Sequence, residues 1–181
     1  MKDFISRYAK NPNEENILDV PCGEGRFIPI IKNQGFNEMW HHDISDQMML
    51  LARSAHPDRS HNITKADITD LPHSDNYFDH TICARLLHMC TLQEIEGILH
   101  ELRRVTTTAI LVNFFLRTEY TPTNLIDNAT RLIKRKKRKI TQEHAEQKVL
   151  HIIEKLGLVV DDKVIVDEGR DKPQRLNTFL F

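Results

Sequence analysis

The sequence predicts an α/β fold in which parallel strands alternate with helices. The first observation is the stretch 16–27, where a short apolar strand ending at Asp19 is followed by a turn with two glycines and an apolar helical segment. The second observation is that two later predicted strands also end at an acidic residue, Asp43 and Asp67. The third is the run 109–115, which is too apolar throughout to be anything but a central strand. Together they predict a doubly wound sheet with helices on both faces.

The other elements follow from apolar periodicity, glycine positions and helix caps. A short N-terminal helix is expected around Phe4, Ile5 and Tyr8. Three further strands are expected at 38–45, 62–67 and 77–84, and two last strands at 158–166 and 176–181. Helices are expected at 27–33, 47–55, 92–102 and 141–156. Ser45 is the predicted N-cap of the second of these, and Thr91 with Glu94 is the predicted capping box of the third.

Length and composition predict one domain, because 181 residues of which 40% are hydrophobic can bury a sizeable core. No apolar run is long enough to span a bilayer, and the first residues lack the apolar segment of a secretory signal. The three cysteines have no C-x-x-C spacing, which fits a cytoplasmic protein without disulfides or a zinc site. The net charge of -1 is uneven, because a basic strip at 131–139 holds seven basic groups and no acid.

The glycine turn narrows the class of ligand. A strand, a glycine turn and a helix in this order present backbone N–H groups to a small ligand that carries a negative group. A dinucleotide fingerprint would need a third glycine where Ile28 stands, and no P-loop ending occurs in the chain. The remaining pattern, D-V-P-C-G-E-G at 19–25, resembles the first motif of class I S-adenosylmethionine-dependent methyltransferases, with Pro21 in place of the family's first glycine.

Later segments resemble the same family in the same order. Asp43 lies 18 residues after Gly25, where a carboxylate accepts hydrogen bonds from both hydroxyls of a ribose. The stretch 66–72 resembles the family's adenine-binding loop, and 77–84 resembles its F-D-x-V-x segment. The alternatives stay open that Asp43 is a turn residue and that Asp67 is an ordinary strand-end residue.

The resemblance implies S-adenosylmethionine as cofactor and S-adenosylhomocysteine as product. Asp19 and the turn backbone would hold the methionine part. Asp67 would accept a hydrogen bond from the adenine amine, and the next backbone N–H would meet a ring nitrogen. The cofactor-binding residues implied in this way are Asp19, Pro21, Cys22, Gly23, Gly25, Arg26, Asp43, Ile44, Met48, Asp67, Ile68 and Ala84.

The segment 85–89 follows the fourth strand and faces the reactive end of the implied cofactor. His88 is the candidate general base because histidine titrates near neutral pH, and a structural histidine is the alternative. Arg85 is a candidate for binding an acidic substrate or the cofactor carboxylate, and a surface ion pair is its alternative. His41 and His42 are adjacent and point to opposite faces of a strand, so no metal site is expected.

The resemblance also implies a Rossmann-like, seven-stranded sheet with an antiparallel C-terminal strand pair. A single methyltransferase domain would span 1–181. It would comprise a short N-terminal segment (1–15), a cofactor-binding half (16–115), and a part with the substrate-side insert, the last helix and the strand pair (116–181). The expected activity is methyl transfer to an oxygen or nitrogen of a small or lipid- or saccharide-type acceptor.

The basic strip 131–139 keeps a second function open. It would suit an anionic acceptor, or it would make the chain a non-catalytic binding module for anionic lipid or nucleic acid. Nucleic acid is the less favoured partner, because no aromatic residues are interleaved with the basic ones. A nicotinamide oxidoreductase is contradicted by Ile28 and by the C-terminal strand pair. The sequence leaves open the acceptor and the choice between monomer and dimer.

Overall fold

A computed structural model of the chain describes residues 2–117, 144–166 and 174–180. The basic strip 131–139 lies outside the described residues. The strands are β1 (Asn16–Asp19), β2 (Glu38–Asp43), β3 (Ile63–Lys65), β4 (Phe78–Cys83), β5 (Thr106–Arg117), β6 (His144–Ala145), β7 (Val160–Val166) and β8 (Gln174–Leu180). The helices are α1 (Lys2–Tyr8), α2 (Ile28–Lys32), α3 (Asp46–Ala55), α4 (Leu92–Val105) and α5 (Glu146–Lys155), with short 3-10 helices at Pro57–Asn62 and Leu87–Met89.

Five parallel strands form the body of the sheet, in the order β3-β2-β1-β4-β5. The chain runs outward from β1 to β3 and then returns to the other side of β1 with β4. The strand order therefore reverses between β1 and β4, and the carboxyl ends of these strands flank the crevice in which α/β sheets of this type bind ligands. The predicted α/β, Rossmann-like architecture is confirmed for these five strands and their helices.

Alternate residues of the central strands pack against different helices. Leu18 and Val112 belong to a buried cluster with residues of α4 and α5. Their neighbours Ile17 and Leu111 belong to a second cluster with residues of α1 and α2. A strand buried on both faces needs this continuous run of apolar residues, which is why the run 109–115 is so apolar.

The predicted helix caps are confirmed. The Ser45 hydroxyl accepts a hydrogen bond from the Met48 backbone N–H at 3.3 Å at the start of α3. At the start of α4, the Thr91 hydroxyl accepts from the Glu94 backbone N–H while the Glu94 carboxylate accepts from the Thr91 N–H at 2.6 Å. Each such cap contributes about 1 kcal/mol to stability, so these bonds fix where the two helices begin at the carboxyl edge of the sheet.

Several boundaries differ from the sequence prediction. Strand β5 is longer than the predicted run 109–115, because it continues past the apolar core to Arg117. The last helix begins only at Glu146, since the preceding two residues form β6 and pair with the end of β5. Within the residues that the structure describes, no helix is long and apolar enough to cross a bilayer.

Candidate functional site

The glycine turn after β1 lies at the carboxyl edge of the sheet, in the middle of the candidate site. Gly23 and Gly25 both have positive φ, +56° and +80°, which side chains other than glycine adopt at a cost. The Cys22 N–H donates to the His42 carbonyl at 2.8 Å, so the turn is attached to the end of β2. The prediction of a glycine-dependent turn at the end of β1 is confirmed.

The two glycines have different surroundings. A Cβ added at Gly25 would lie 2.8 Å from Ile28 Cδ1 and 2.9 Å from the His56 ring, so protein atoms already fill that side. A Cβ added at Gly23 would meet no atom of the described residues within 4 Å. Gly25 therefore serves the packing of the turn, whereas Gly23 leaves its backbone open on one side, as a close-fitting ligand requires.

Asp43 ends β2 beside this turn and is only 6% exposed. Its Oδ2 accepts a hydrogen bond from the Gly23 N–H at 2.8 Å, and its Oδ1 accepts from the Ser45 N–H at 2.9 Å. A carboxylate has about four acceptor positions, so further hydrogen bonds remain possible. The turn and the end of β2 thus form one bonded unit, and the ribose role of Asp43 stays a prediction.

Two predicted apolar contact residues follow Asp43, and a second predicted acidic residue follows β3. Ile44 is 61% exposed and Met48 is 37% exposed, as are the neighbouring Leu50 and Leu51 at 65% and 45%. Asp67 is exposed after β3, and its Oδ1 accepts from the Thr69 N–H at 2.9 Å and from the Thr69 hydroxyl at 2.7 Å. These bonds hold the pKa of Asp67 below its usual value, so the group is ionised at neutral pH. Ile68 is half-buried against the core.

The loop that follows Asp67 is anchored by residues that the sequence reasoning missed. Glu101 on α4 is buried and accepts from the Leu71 N–H at 2.7 Å. Arg104 bonds Glu101 and also donates to the carbonyls of Leu71 and His73. A glutamate and an arginine three positions apart on a helix are common, so no sequence signal distinguishes this anchor from a surface ion pair.

His42 completes the attachment of that loop. Its Nε2 lies 2.7 Å from His73 Nε2, and its Nδ1 lies 2.8 Å from the Thr64 hydroxyl. One of the two Nε2 atoms must donate and the other accept, so the contact needs at least the accepting ring to be neutral. Burial lowers the pKa of His42 to about 4, and the pKa of His73 is also lowered, which supports that state at neutral pH.

Asp19 at the end of β1 is fully buried, and neither carboxylate oxygen has a hydrogen-bond partner among the described residues. His41, its register partner on β2, is also fully buried, and its Nδ1 lies 3.5 Å from Asp19 Oδ2. Burial raises the pKa of Asp19 above its ordinary value. The sequence reasoning considered His41 only as a metal ligand and missed this pairing.

The end of β4 carries the candidate catalytic segment. Arg85 is exposed and has a φ of +66°, and its backbone N–H donates to Asn113 Oδ1 at 2.7 Å. His88 lies in the following 3-10 helix with a half-buried side chain, next to the fully buried Leu87. The sequence reasoning missed Asn113, although a polar residue within the apolar run 109–115 was a signal. The catalytic roles of Arg85 and His88 stay predictions.

The remaining predicted residues divide between the turn and its rim. Pro21 is half-buried in the turn, and Ala84 is half-buried between β4 and Arg85. Burial raises the pKa of Cys22 to about 12, so this residue is an uncharged thiol. Arg26 is exposed, and its Nη2 lies 3.4 Å from Glu24 Oε1. Among the described residues, no group of three or more histidine, cysteine or acidic side chains could hold a metal ion.

Similarity to known proteins agrees with this geometry. Residues 18–112, more than half of the 181 residues, match a family described as a methyltransferase domain. No curated protein matches the sequence.

Solved structures share the fold at low identity. A SAM-dependent methyltransferase from Methanosarcina mazei is 16% identical, with 98% of this chain and 95% of that chain covered at a TM-score of 0.79. Magnesium protoporphyrin IX methyltransferase from Synechocystis PCC 6803, with bound SAH, is 16% identical over 99% of this chain and 78% of that one at a TM-score of 0.74. An S-adenosylmethionine-dependent methyltransferase from Mesorhizobium loti is 17% identical over 92% and 90% at a TM-score of 0.69. The chain therefore belongs to the methyltransferase-domain family, and its fold is that of class I S-adenosylmethionine-dependent methyltransferases.

Proposed function

We propose that this protein binds S-adenosylmethionine and transfers its methyl group to an oxygen or nitrogen of a small or lipid- or saccharide-type acceptor. The observation that carries the proposal is the bond from the Gly23 N–H to Asp43, which fixes the glycine turn and the acidic end of β2 side by side. The unobstructed side of Gly23 supports it, because a ligand can approach the backbone there.

In this proposal the cofactor lies across the carboxyl ends of β1, β2 and β3. Asp43 uses its remaining acceptor positions for the two ribose hydroxyls, since its bonds to the backbone N–H groups of Gly23 and Ser45 hold the carboxylate in place. Ile44 and Met48 provide apolar surface for the faces of the adenine ring, which accounts for their exposure. Asp67 accepts from the adenine amine, and the Ile68 N–H meets a ring nitrogen.

The methionine part lies on the β1 side, against the turn and Asp19. When bound, S-adenosylmethionine supplies an electrophilic methyl group on a sulfonium sulfur. The protein then has to align the acceptor atom with that methyl group and keep water away. We assign His88 as the base that takes the proton of an O–H or N–H acceptor, and Arg85 as the group that binds an acidic substrate or the cofactor carboxylate.

Further features of the protein are part of the same proposal. The basic strip 131–139 would hold an anionic acceptor, and the protein would act in the cytoplasm as a monomer or dimer. We also infer that the chain forms one domain in which β8 and β7 extend the five parallel strands, as an antiparallel pair, to a row of seven strands, with the two-residue β6 paired separately with the end of β5. The backbone register, with Ile110 opposite Leu180 and Ile165 opposite Leu176, supports that arrangement.

The test is calorimetric titration of the full chain with S-adenosylhomocysteine, with NADH as the control ligand. We expect micromolar binding of the first ligand and none of the second. Asp43→Ala should weaken this binding at least 100-fold, whereas Asp46→Ala, which changes an exposed acid three positions further on, should leave it within twofold. Circular dichroism would verify that both variants are folded. Absence of binding to the folded wild-type protein would contradict the proposed function.

A further inference from the structure

Asp19 and His41 are the most deeply buried pair of ionisable groups in the site. Both side chains are 0% exposed, and Asp19 Oδ1, Asp19 Oδ2, His41 Nδ1 and His41 Nε2 have no hydrogen-bond partner among the described residues. Their closest approach is 3.5 Å, too long for a good hydrogen bond but short enough for a strong charge interaction. A protein seldom leaves four buried polar atoms unsatisfied, so this pair is a candidate for binding a proton or a ligand group.

Among the residues that the structure describes, His41 and Asp43 are the charged or titratable groups that act on the Asp19 carboxyl. Asp43, on the same strand as His41, adds negative charge that opposes ionisation of Asp19. Cys22 after β1 and Cys83 on β4 are buried, and burial raises the pKa of both thiols, so they are neutral. His42 points to the opposite face of β2, and burial, with His73 beside it, lowers its pKa to about 4, so it is neutral at neutral pH. A bare carboxylate in this environment would be very costly.

We propose that Asp19 and His41 share one proton in the free protein, and that the ammonium group of the cofactor's methionine part displaces this proton. This inference rests on the proposed function, since it assumes that the methionine part lies against Asp19. His41 then acts as a positioning residue: it keeps the shared proton beside Asp19 and holds the carboxyl group oriented in the absence of ligand.

The charges balance in this exchange. Before binding, the shared proton compensates the single negative charge of Asp19. On binding, the ligand ammonium takes over that compensation, the shared proton leaves the pair for solvent, and neutral His41 remains behind the new ion pair between Asp19 and the ammonium. Two cations beside a single buried carboxylate would repel each other, so the proton and the ammonium bind competitively.

Proton counting during ligand binding tests this exchange without any substitution. S-adenosylhomocysteine would be titrated calorimetrically in phosphate and in Tris, whose ionisation enthalpies differ, between pH 6 and 8. We expect the wild-type protein to release close to one proton per ligand where the pair is protonated, and the affinity to rise about tenfold per pH unit there. The matched control ligand is 5′-methylthioadenosine, which lacks the ammonium group and should bind without proton release.

Two variants assign the proton to the pair. Asp19→Asn should still bind 5′-methylthioadenosine but release no proton with S-adenosylhomocysteine. His41→Asn keeps a donor near the position of Nδ1 but cannot carry a proton, so the midpoint of proton release should move to lower pH. A purely structural His41 would change the affinity and leave that midpoint in place.

The outcomes separate this inference from the proposed function. Binding of S-adenosylhomocysteine with no proton exchange at any pH would overturn the shared proton and leave the cofactor assignment intact. An unchanged midpoint in folded His41→Asn would remove His41 from the exchange. No binding at all would contradict the proposed function itself.

Discussion

The carboxyl ends of β1 and β2 lie side by side, but their acidic residues are held in opposite ways. Asp43 on β2 accepts two backbone hydrogen bonds and is locked in place by the protein itself. Asp19 on β1 is more deeply buried and has no hydrogen bond among the described residues, and His41 Nδ1 lies 3.5 Å from its Oδ2. The β2 side of the site is therefore preformed, whereas the β1 side holds buried polar atoms that have no hydrogen-bond partner among the described residues.

The largest effect is expected for a substitution in the glycine turn, which connects the ends of β1 and β2. Gly25→Ala should lower the free energy of unfolding by roughly 3 kcal/mol, because a Cβ at positive φ would also collide with Ile28 and His56. Gly23→Ala meets only the conformational cost of about 1 kcal/mol. Chemical denaturation of both variants measures the difference.

The two glycine variants should show the reverse order in ligand binding. Gly23→Ala places a methyl group on the open side of the turn, so folded protein should bind S-adenosylhomocysteine at least tenfold more weakly than wild type. If Gly23→Ala bound the ligand normally, the open side of the turn would not be the cofactor side. If Gly25→Ala were as stable as Gly23→Ala, the packing role of Gly25 would be wrong.

The two carboxylates themselves provide the next test. Asp43→Ala leaves the Gly23 and Ser45 N–H groups without their acceptor and should cost about 2 kcal/mol of stability. Asp19→Asn should instead stabilise the free protein, by on the order of 1 kcal/mol at alkaline pH, because it removes a buried charge. Urea denaturation at several pH values compares them.

The stabilisation expected for Asp19→Asn should depend on pH with a definite sign. Burial raises the pKa of Asp19, so above about pH 4 the folded state keeps a proton that the unfolded chain has lost. The proton that folded Asp19 keeps makes the free energy of unfolding of the wild-type protein fall as pH rises, and Asp19→Asn has no such proton. The advantage of the variant should therefore grow with pH. An advantage that shrank with pH would show that Asp19 is ionised and well stabilised in the folded protein.

The preformed side of the site was the easier one to predict from sequence. Asp43 ends a recognisable strand and precedes Ser45, whose capping role the sequence indicates, so local rules determine its position and its bond to Ser45, whereas its bond to Gly23 depends on the pairing of β1 with β2. The five parallel strands could be predicted for the same reason, since each is a short apolar run that ends at a turn. Boundaries were less accurate: β5 begins at Thr106, before its apolar run, and continues to Arg117, where it pairs with β6.

The β1 side depends on contacts between distant residues, which periodicity does not reveal. The pairing of His41 with Asp19 follows from strand register, and the contact of Asn113 with the Arg85 N–H joins β5 to the end of β4. The anchoring of the loop after Asp67 by Glu101 and Arg104 also spans about 30 positions. Such contacts require the tertiary structure, although a lone polar residue in an apolar strand, like Asn113, signals one.

The smallest expected effect concerns Arg85, which lies two residues after the end of β4. Its φ of +66° is a left-handed conformation that costs a side-chain-bearing residue about 1 kcal/mol, and the bond from its N–H to Asn113 holds it there. Arg85→Gly relieves this cost but gives the unfolded chain more freedom, so we expect a net gain of about 0.5 kcal/mol in the free energy of unfolding. Arg85→Ala is the matched control, because it removes the same side chain and keeps the strain. Urea denaturation of the pair isolates the backbone term, and equal stability of the two variants would mean that the end of β4 is no more strained than the preformed end of β2.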